Sequence, residues 1–232
     1  MWNKEVPAVS WNQCLYQYHK KHGGQYLGGR EDDGLLVLTW KDLPLAVDLL
    51  RLSGRSGTVS YVQGRIPVTL AKPCTLTIGA EKMLSGGVNT VLKAVPGLPD
   101  HAALPADFGF SEVTKKRLIR SNNHSFTKLV LGNLEFRNAL AACPEEKLEL
   151  RPGPGEEGLH LITVTTASAI GGGVFDGGAG WYLADDYDTF NADSEMEAAR
   201  AAQEIEKEFF PRMDRLLDLC RAAWNAVTQW PM

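Results

Sequence analysis

The stretch KLELRPGPGEEGLHLITVTT, residues 147–166, decides the fold class of this chain. Two runs of strand-forming residues flank PGPGEEG, whose prolines and glycines are typical of a reversal of the chain. Strands joined by so short a turn pair antiparallel, because parallel strands need a long crossover connection. The stretch therefore predicts a β-hairpin.

Other strand-like runs lie on the N-terminal side of this hairpin, and several are separated by short turn signals. They are GLLVLTW (34–40), LAVDLLRLS (45–53), TVSYV (58–62), RIPVTL (65–70), TLTI (75–78) and KRLIRS (116–121). The two-residue linker Gln63-Gly64 predicts a second hairpin, because glycine at this position permits a tight turn. Pro67 has no backbone donor, so its strand is predicted to lie at a sheet edge or to carry a bulge.

Apolar residues at helical spacing predict helices before, between and after these strands. The predicted helices cover residues 8–22, 80–95, 125–132, 134–143 and about 194–229. The third and fourth are predicted as two short helices, or as one helix interrupted at Gly132-Asn133.

The C-terminal segment has the clearest helical pattern. A capping box formed by Ser194 and Glu197 predicts where the helix begins. Its apolar stripe comprises Ile205, Phe209, Met213, Leu216, Cys220, Trp224 and Val227. The stripe continues through Pro211 without a change of phase, which indicates a kinked helix or two helices that meet with Pro211 in a first turn.

Hairpins with helices outside them predict an α+β fold. We expect a mostly antiparallel sheet built from β-hairpins, flanking helices and a long C-terminal amphipathic helix. The expected organisation is a single domain over 1–232. It can alternatively form two lobes, 1–95 and 111–232, joined by the Pro/Gly-rich loop at 96–110.

Composition narrows the compartment and the partners. The net charge of −4 disfavours a dedicated nucleic-acid binder, and no apolar run approaches the length of a membrane span. The cysteines are scattered without a CxxC pair, at Cys14, Cys74, Cys143 and Cys220, and the N-terminus lacks the apolar core of a signal peptide. These features predict a soluble cytoplasmic protein with reduced thiols, no membrane association, no cofactor and no metal site.

The segment GGGVFDGGAGWYLADDYD, residues 171–188, is a candidate ligand or partner loop. It does not fit a phosphate-binding loop, because an aspartate replaces the third glycine of the dinucleotide fingerprint and no Gly-Lys-Ser/Thr follows. Its aspartates also miss the spacing of a calcium loop. The alternatives are a glycine hinge with exposed aromatic rings or a plain connector. The candidate residues are Asp176, Trp181, Tyr182, Asp185, Asp186 and Asp188.

The segment 115–128 is a candidate anion-binding site. Its cations are Lys115, Lys116, Arg117, Arg120 and Lys128, of which the first four are the candidate anion-binding residues. Such a cluster favours binding to phosphate, nucleic acid or an acidic partner, although a solvated strand explains the same pattern.

The leading functional hypothesis is a protein of prokaryotic type that acts as a non-enzymatic binding or structural domain. Its partner is an unidentified protein, or a second copy bound through the C-terminal helix. The first alternative is a metal-assisted, hydrolase-like enzyme with a pocket bordered by 171–188 and unidentified catalytic residues. The second is anion or nucleic-acid binding through 115–128, with nucleic acid disfavoured by the net charge.

Overall fold

The computed structural model describes residues 11–28, 34–54, 57–80, 108–114, 117–155, 157–166, 203 and 205–230. The helices are α1 (Trp11–His22), α2 (Ser111–Thr114), α3 (His124–Gly132), α4 (Leu134–Ala142), a π-helical turn (Ile205–Phe209) and α5 (Phe210–Thr228). The strands are β1 (Gln25–Leu27), β2 (Leu35–Trp40), β3 (Leu43–Gly54), β4 (Gly57–Thr69), β5 (Leu76–Ala80), β6 (Arg117–Ser121), β7 (Lys147–Pro152) and β8 (Leu159–Thr165).

The strands form an eight-stranded sheet in the order β1-β2-β3-β4-β8-β7-β5-β6. The pairs β1–β2, β2–β3, β5–β6, β5–β7 and β7–β8 are antiparallel. With the helices and the long C-terminal helix, this confirms the predicted α+β fold.

Two compact units make up the chain. Unit 1 comprises Met1–Gln63 and Ser168–Asp214, and unit 2 comprises Gly64–Ala167 and Arg215–Met232. Apart from residues 108–110, the loop predicted at 96–110 lies outside the described residues, as does most of the helix predicted at 80–95. The division into lobes at that loop stays a prediction.

The hairpin predicted at 147–166 is confirmed. Strands β7 and β8 pair in a register that places Leu150 opposite Ile162 and Leu148 opposite Val164, and all four side chains are buried. Thus one face of this hairpin belongs to the core of unit 2.

Strands β2 and β3 form another hairpin, which turns at Lys41-Asp42. These two residues adopt positive φ values of 49° and 61°.

The hairpin predicted at Gln63-Gly64 is wrong, because β4 runs through both residues without a turn. A Cβ atom on Gly64 would lie 2.6 Å from Cδ2 of Leu216 and 3.0 Å from Sγ of Cys220. Gly64 is therefore needed for the close approach of α5 to the strand, and not for a reversal of the chain.

Of the two alternatives predicted for the strand of Pro67, the sheet edge is wrong, because β4 lies between β3 and β8, and the bulge stays a prediction. The Pro67 carbonyl accepts a hydrogen bond from the indole Nε1 of Trp224 on α5 at 3.1 Å. A side chain of the C-terminal helix thus contributes a hydrogen bond to this inner strand.

Most of the predicted helices are confirmed within the described residues. The first helix is present as α1, and the interruption at Gly132-Asn133 separates α3 from α4. A π-helical turn precedes α5, and Pro211 occupies the first turn of α5, where its missing N–H is tolerated. The capping box at Ser194 and Glu197 lies outside the described residues.

The apolar stripe of the C-terminal helix is directed into the protein. Ile205, Phe209, Met213, Leu216, Cys220 and Val227 are buried, and Trp224 is half-buried. Self-association through this helix stays a prediction.

Candidate functional site

Helices α3 and α4 each begin at an asparagine cap, and Asn133 also ends α3. Asn123 Oδ1 accepts the backbone N–H of Phe126 at 3.0 Å, and Asn133 Oδ1 accepts that of Phe136 at 2.9 Å. Each cap satisfies a backbone donor that the first turn of its helix leaves unpaired. The local sequence therefore fixes both the end of α3 and the start of α4.

Arg137 on α4 stabilises the junction between α3 and α4. Its Nη1 donates to the carbonyls of Leu131 and Gly132 at 2.7 and 2.9 Å, at the C-terminal end of α3. Its guanidinium carbon lies 4.4 Å from the ring centroid of Phe110, and its Nε lies 3.3 Å from a carboxylate oxygen of Glu112. One cation thus joins three elements, because it satisfies carbonyls, a carboxylate and an aromatic face together.

The end of α5 is attached to the same junction. Asn133 Nδ2 donates to Oε1 of Gln229 at 3.1 Å, and Asn225 Nδ2 lies 3.4 Å from both carboxylate oxygens of Glu135. These bonds place Trp230, the residue after Gln229, beside α3 and α4.

A cleft of about 640 Å³ opens between these elements, entirely within unit 2. We call it the α3–α4 cleft, and its lining residues are Phe110, Ser125, Lys128, Leu129, Gly132, Asn133, Leu134, Gln229 and Trp230. Leu129 is 42% exposed and Leu134 is 63% exposed, which is unusual for large apolar side chains that lie together. The volume falls within the roughly 300–1,000 Å³ of ligand-binding pockets.

Two polar groups of the α3–α4 cleft lack partners in the described part of the chain. The Trp230 indole Nε1 is shielded from solvent, yet no acceptor lies within hydrogen-bond distance. Lys128, the charged member of the lining, is exposed and forms no ion pair with any described residue. The cleft therefore presents apolar surface and the amine of Lys128, whereas the indole Nε1 of Trp230 is shielded from it.

Among the predicted anion-binding residues, Arg117 is buried and has a structural role. Its Nη2 donates to the carbonyls of Leu140, at 2.6 Å, and Cys143, and its Nη1 donates to that of Glu146 at 3.4 Å. Burial lowers the pKa of this guanidinium below its usual value. The side chain thus satisfies carbonyls between α4 and β7.

Arg120 lies on a polar face of the sheet in unit 2. The strand registers place it opposite Thr77, and place Thr77 opposite Glu149, so the three share one face. Oε1 of Glu149 accepts from Lys147 at 2.9 Å and from Arg151. Lys115 and Lys116 lie outside the described residues, and anion binding by the segment stays a prediction.

The described histidines and thiols do not form a nucleophilic pair. His160 uses both ring nitrogens: Nε2 accepts the backbone N–H of Cys74 at 3.0 Å, so Nδ1 is the donor to the Gly158 carbonyl at 2.9 Å. Burial raises the pKa of Cys74 to about 11 and those of Cys143 and Cys220 to about 12. Burial also raises the pKa of Cys14. These thiols are therefore protonated at neutral pH.

Within the described ranges, no three His, Cys, Asp or Glu side chains lie close enough together to hold a metal ion. No helix in that part of the chain is long and apolar enough to cross a bilayer. The candidate loop residues Asp176, Trp181, Tyr182, Asp185, Asp186 and Asp188 lie outside it. The pocket predicted beside 171–188 stays a prediction.

Comparison with protein-family models, curated proteins and solved structures finds no match to this chain.

Of the residues that line the α3–α4 cleft, only Ser125 and Lys128 fall within a segment that the sequence indicates as a candidate site. One signal was present: Phe136 and Leu140 are buried on α4, whereas Leu134 lies two residues before Phe136 and therefore on the opposite side of the helix. An apolar residue out of phase with the buried stripe indicates exposed apolar surface. Its neighbours Leu129 and Trp230 come together with it only through tertiary packing.

Proposed function

We propose that this chain is a non-enzymatic binding domain and that the α3–α4 cleft binds a segment of another protein. The exposed side chains of Leu129 and Leu134 beside Trp230 support this proposal. Apolar side chains grouped in an open cleft are typical of interaction sites, and tryptophan is enriched among the residues that contribute most to binding.

The exposure of the two leucines is the observation that carries the proposal. Leu134 is 63% exposed and Leu129 is 42% exposed, and both line one cleft together with Trp230. A bound segment would remove this apolar surface from water, which is favourable.

The proposal includes a cytoplasmic location for the protein. The cysteines Cys14, Cys74, Cys143 and Cys220 are all free and buried. Free thiols throughout a chain of this length are typical of a protein that works in a reducing compartment. We therefore propose a soluble cytoplasmic protein with a protein partner.

Selection from a random dodecapeptide phage library tests the binding function. The bait is the whole chain, and the matched variants are Leu134→Ser in the cleft and Leu27→Ser in unit 1, where Leu27 is 61% exposed. We expect the wild type and Leu27→Ser to retain the same peptides. We expect Leu134→Ser to bind them at least about tenfold more weakly, because most of the apolar contact is lost.

Two results would contradict the proposal. The first is that no peptide is enriched on the wild type. The second is that the enriched peptides bind equally well to Leu134→Ser. Circular dichroism of each variant verifies that the comparison is made on folded protein.

A further inference from the structure

We infer that the partner of the α3–α4 cleft is a second copy of this chain, related to the first by a two-fold axis, so that Leu134 of each copy enters the cleft of the other. This inference rests on the proposed binding function and deepens it, because it names the partner. It assigns Leu129 and Leu134 to an apolar contact, and it assigns Lys128 and Glu135 to two ion pairs between the copies.

The order of residues around the junction makes this surface complementary to itself. Lys128 and Leu129 lie on α3, whereas Leu134 and Glu135 begin α4, and all four side chains are exposed. The two leucines thus lie between a cation and a carboxylate. In a two-fold contact, any contact between two different residues of the copies forms twice, once in each direction. Lys128 of each copy can therefore pair with Glu135 of the other while the leucines meet between the two pairs.

The charges of Lys128 and Glu135 are not neutralised within one copy. Lys128 forms no ion pair with a described residue. The carboxylate oxygens of Glu135 both lie 3.4 Å from Nδ2 of Asn225, which is a neutral amide, and no described cation pairs with them. A partner with a carboxylate opposite Lys128 and a cation opposite Glu135 is favoured over the reverse arrangement, because like charges repel each other across an interface. A second copy supplies both groups.

Leu134 and the cleft also fit each other in shape. Leu134 is the first residue of α4 and is 63% exposed, so it projects from the border of its own cleft. The cleft opens over about 640 Å³ beside Leu129 and Trp230, which leaves room for a leucine side chain from outside. The two-fold axis repeats the insertion, so each dimer removes two copies of this apolar surface from water, which is favourable.

The contact is small, and small interfaces are typical of weak, transient complexes. We therefore expect a dimer that forms at high protein concentration. At the low concentrations of a phage selection, the chain should be monomeric and its cleft should be free to bind peptides.

Sedimentation equilibrium of the whole chain at increasing concentration tests the inference, with charge reversals as the decisive variants. Lys128→Glu places two carboxylates against each other at both ion pairs, and Glu135→Lys places two cations there. The double variant Lys128→Glu/Glu135→Lys restores opposite charges at both pairs. Lys72→Glu is the matched control, because Lys72 is also exposed in unit 2 and its reversal changes the net charge by the same amount as Lys128→Glu.

We expect the wild type to dimerise and Leu134→Ser to raise the dissociation constant at least about a hundredfold, because two leucines are lost per dimer. Each single charge reversal at the junction should raise it at least about tenfold, since two exposed ion pairs become repulsive. The double variant and Lys72→Glu should stay within about threefold of the wild type. An equimolar mixture of Lys128→Glu and Glu135→Lys should form a heterodimer more tightly than either variant pairs with itself, because opposite charges then meet at both positions.

A wild type that stays monomeric over the whole range of its solubility would overturn the inference. A dimer that Leu134→Ser leaves intact would also overturn it, since the contact would then lie elsewhere. If both single charge variants dimerise as tightly as the wild type, or if their mixture forms no heterodimer, the two-fold arrangement is wrong and the inference fails. Circular dichroism of each variant verifies that the chains compared are folded.

The outcomes separate this inference from the proposed function. If library peptides bind through Leu134 but the wild type is monomeric, the binding function holds and the inference fails. If no peptide binds and the chain is monomeric, both fail. If the dimer forms as expected, the enriched peptides should dissociate it, because they occupy the same cleft. Peptides that bind through Leu134 and leave the dimer intact would overturn the inference.

Discussion

Two exposed surfaces, one in each unit, differ in how closely other side chains of the chain pack against them. In unit 1, Tyr16 is 41% exposed, and its ring lies 5.7 Å from that of Tyr26 and 6.3 Å from that of His19, with Nζ of Lys20 5.0 Å from its centroid. We call these four residues the tyrosine patch. In the α3–α4 cleft, Leu129 is exposed to the same degree and Leu134 is more exposed, but both border open space.

The difference extends to the polar atoms of each surface. His19 Nδ1 in the tyrosine patch and Trp230 Nε1 in the cleft both lack a hydrogen-bond partner among the described residues. A neutral imidazole can place its proton on the other nitrogen, whereas an indole N–H is a permanent donor. The two surfaces therefore differ in the chemistry of the shielded nitrogen that belongs to each of them.

Alkaline pH should have the largest effect on the free energy of unfolding, because each unit contains a buried thiol that ionises only at high pH. Burial raises the pKa of Cys143, at the end of α4, from 9.0 to about 12 and also raises that of Cys14 on α1. The unfolded chain loses these protons first, so their contribution to stability is complete below pH 9 and is lost as the pH rises above it. Each thiol should lower the free energy of unfolding by about 1.4 kcal/mol per pH unit in that range.

Urea unfolding from pH 8 upward measures this dependence. Cys143→Ala should remove one thiol's share of the slope, and Cys14→Ala should do the same in unit 1. All other ionisable groups are common to the wild type and the variants, so the difference between their curves reports the replaced thiol. Parallel curves for the wild type and Cys143→Ala would show that burial of this thiol does not contribute to the pH dependence.

The next largest difference in the free energy of unfolding should come from replacing the cation that lies near each surface. Arg137→Met removes the donors to Leu131 and Gly132 and the contact with Phe110, and should lower the free energy of unfolding by about 2–3 kcal/mol. Lys20→Met removes one exposed contact with Tyr16 and should cost less than about 1 kcal/mol. Chemical denaturation measures the free energy of unfolding of both variants, and equal decreases would contradict the structural role of Arg137.

The exposed apolar side chains themselves should have smaller effects on stability than Arg137, and Leu134 should have the smallest of all. Tyr16→Ser removes packed ring contacts and should cost about 1 kcal/mol, whereas Leu134→Ser should stay within about 0.5 kcal/mol of the wild type. Differential scanning calorimetry measures both changes. A larger loss for Leu134→Ser would mean that the chain itself stabilises this leucine, and the contrast between the two surfaces would disappear.

Local sequence patterns predicted those elements whose causes lie within a few residues. The Pro/Gly turn between β7 and β8 reverses the chain by itself, and Asn133 both ends α3 and caps α4. The hairpin predicted at Gly64 was wrong because glycine occurs both in turns and where two backbones approach closely. The neighbouring residues do not show which of the two applies. The contact with Leu216, more than 150 residues away, decides which use applies.

Local sequence accounts for the fold class, the antiparallel hairpin, the break between two short helices and the apolar stripe of the C-terminal helix. These follow from hydrophobic periodicity and turn chemistry, which act over one or two turns of chain. Tertiary structure alone decided the path of β4 through Gly64, the burial of Arg117 and the α3–α4 cleft. Each of these depends on contacts between residues far apart in the chain, and Trp230 reaches Leu134 only because the end of α5 is attached to the α3–α4 junction.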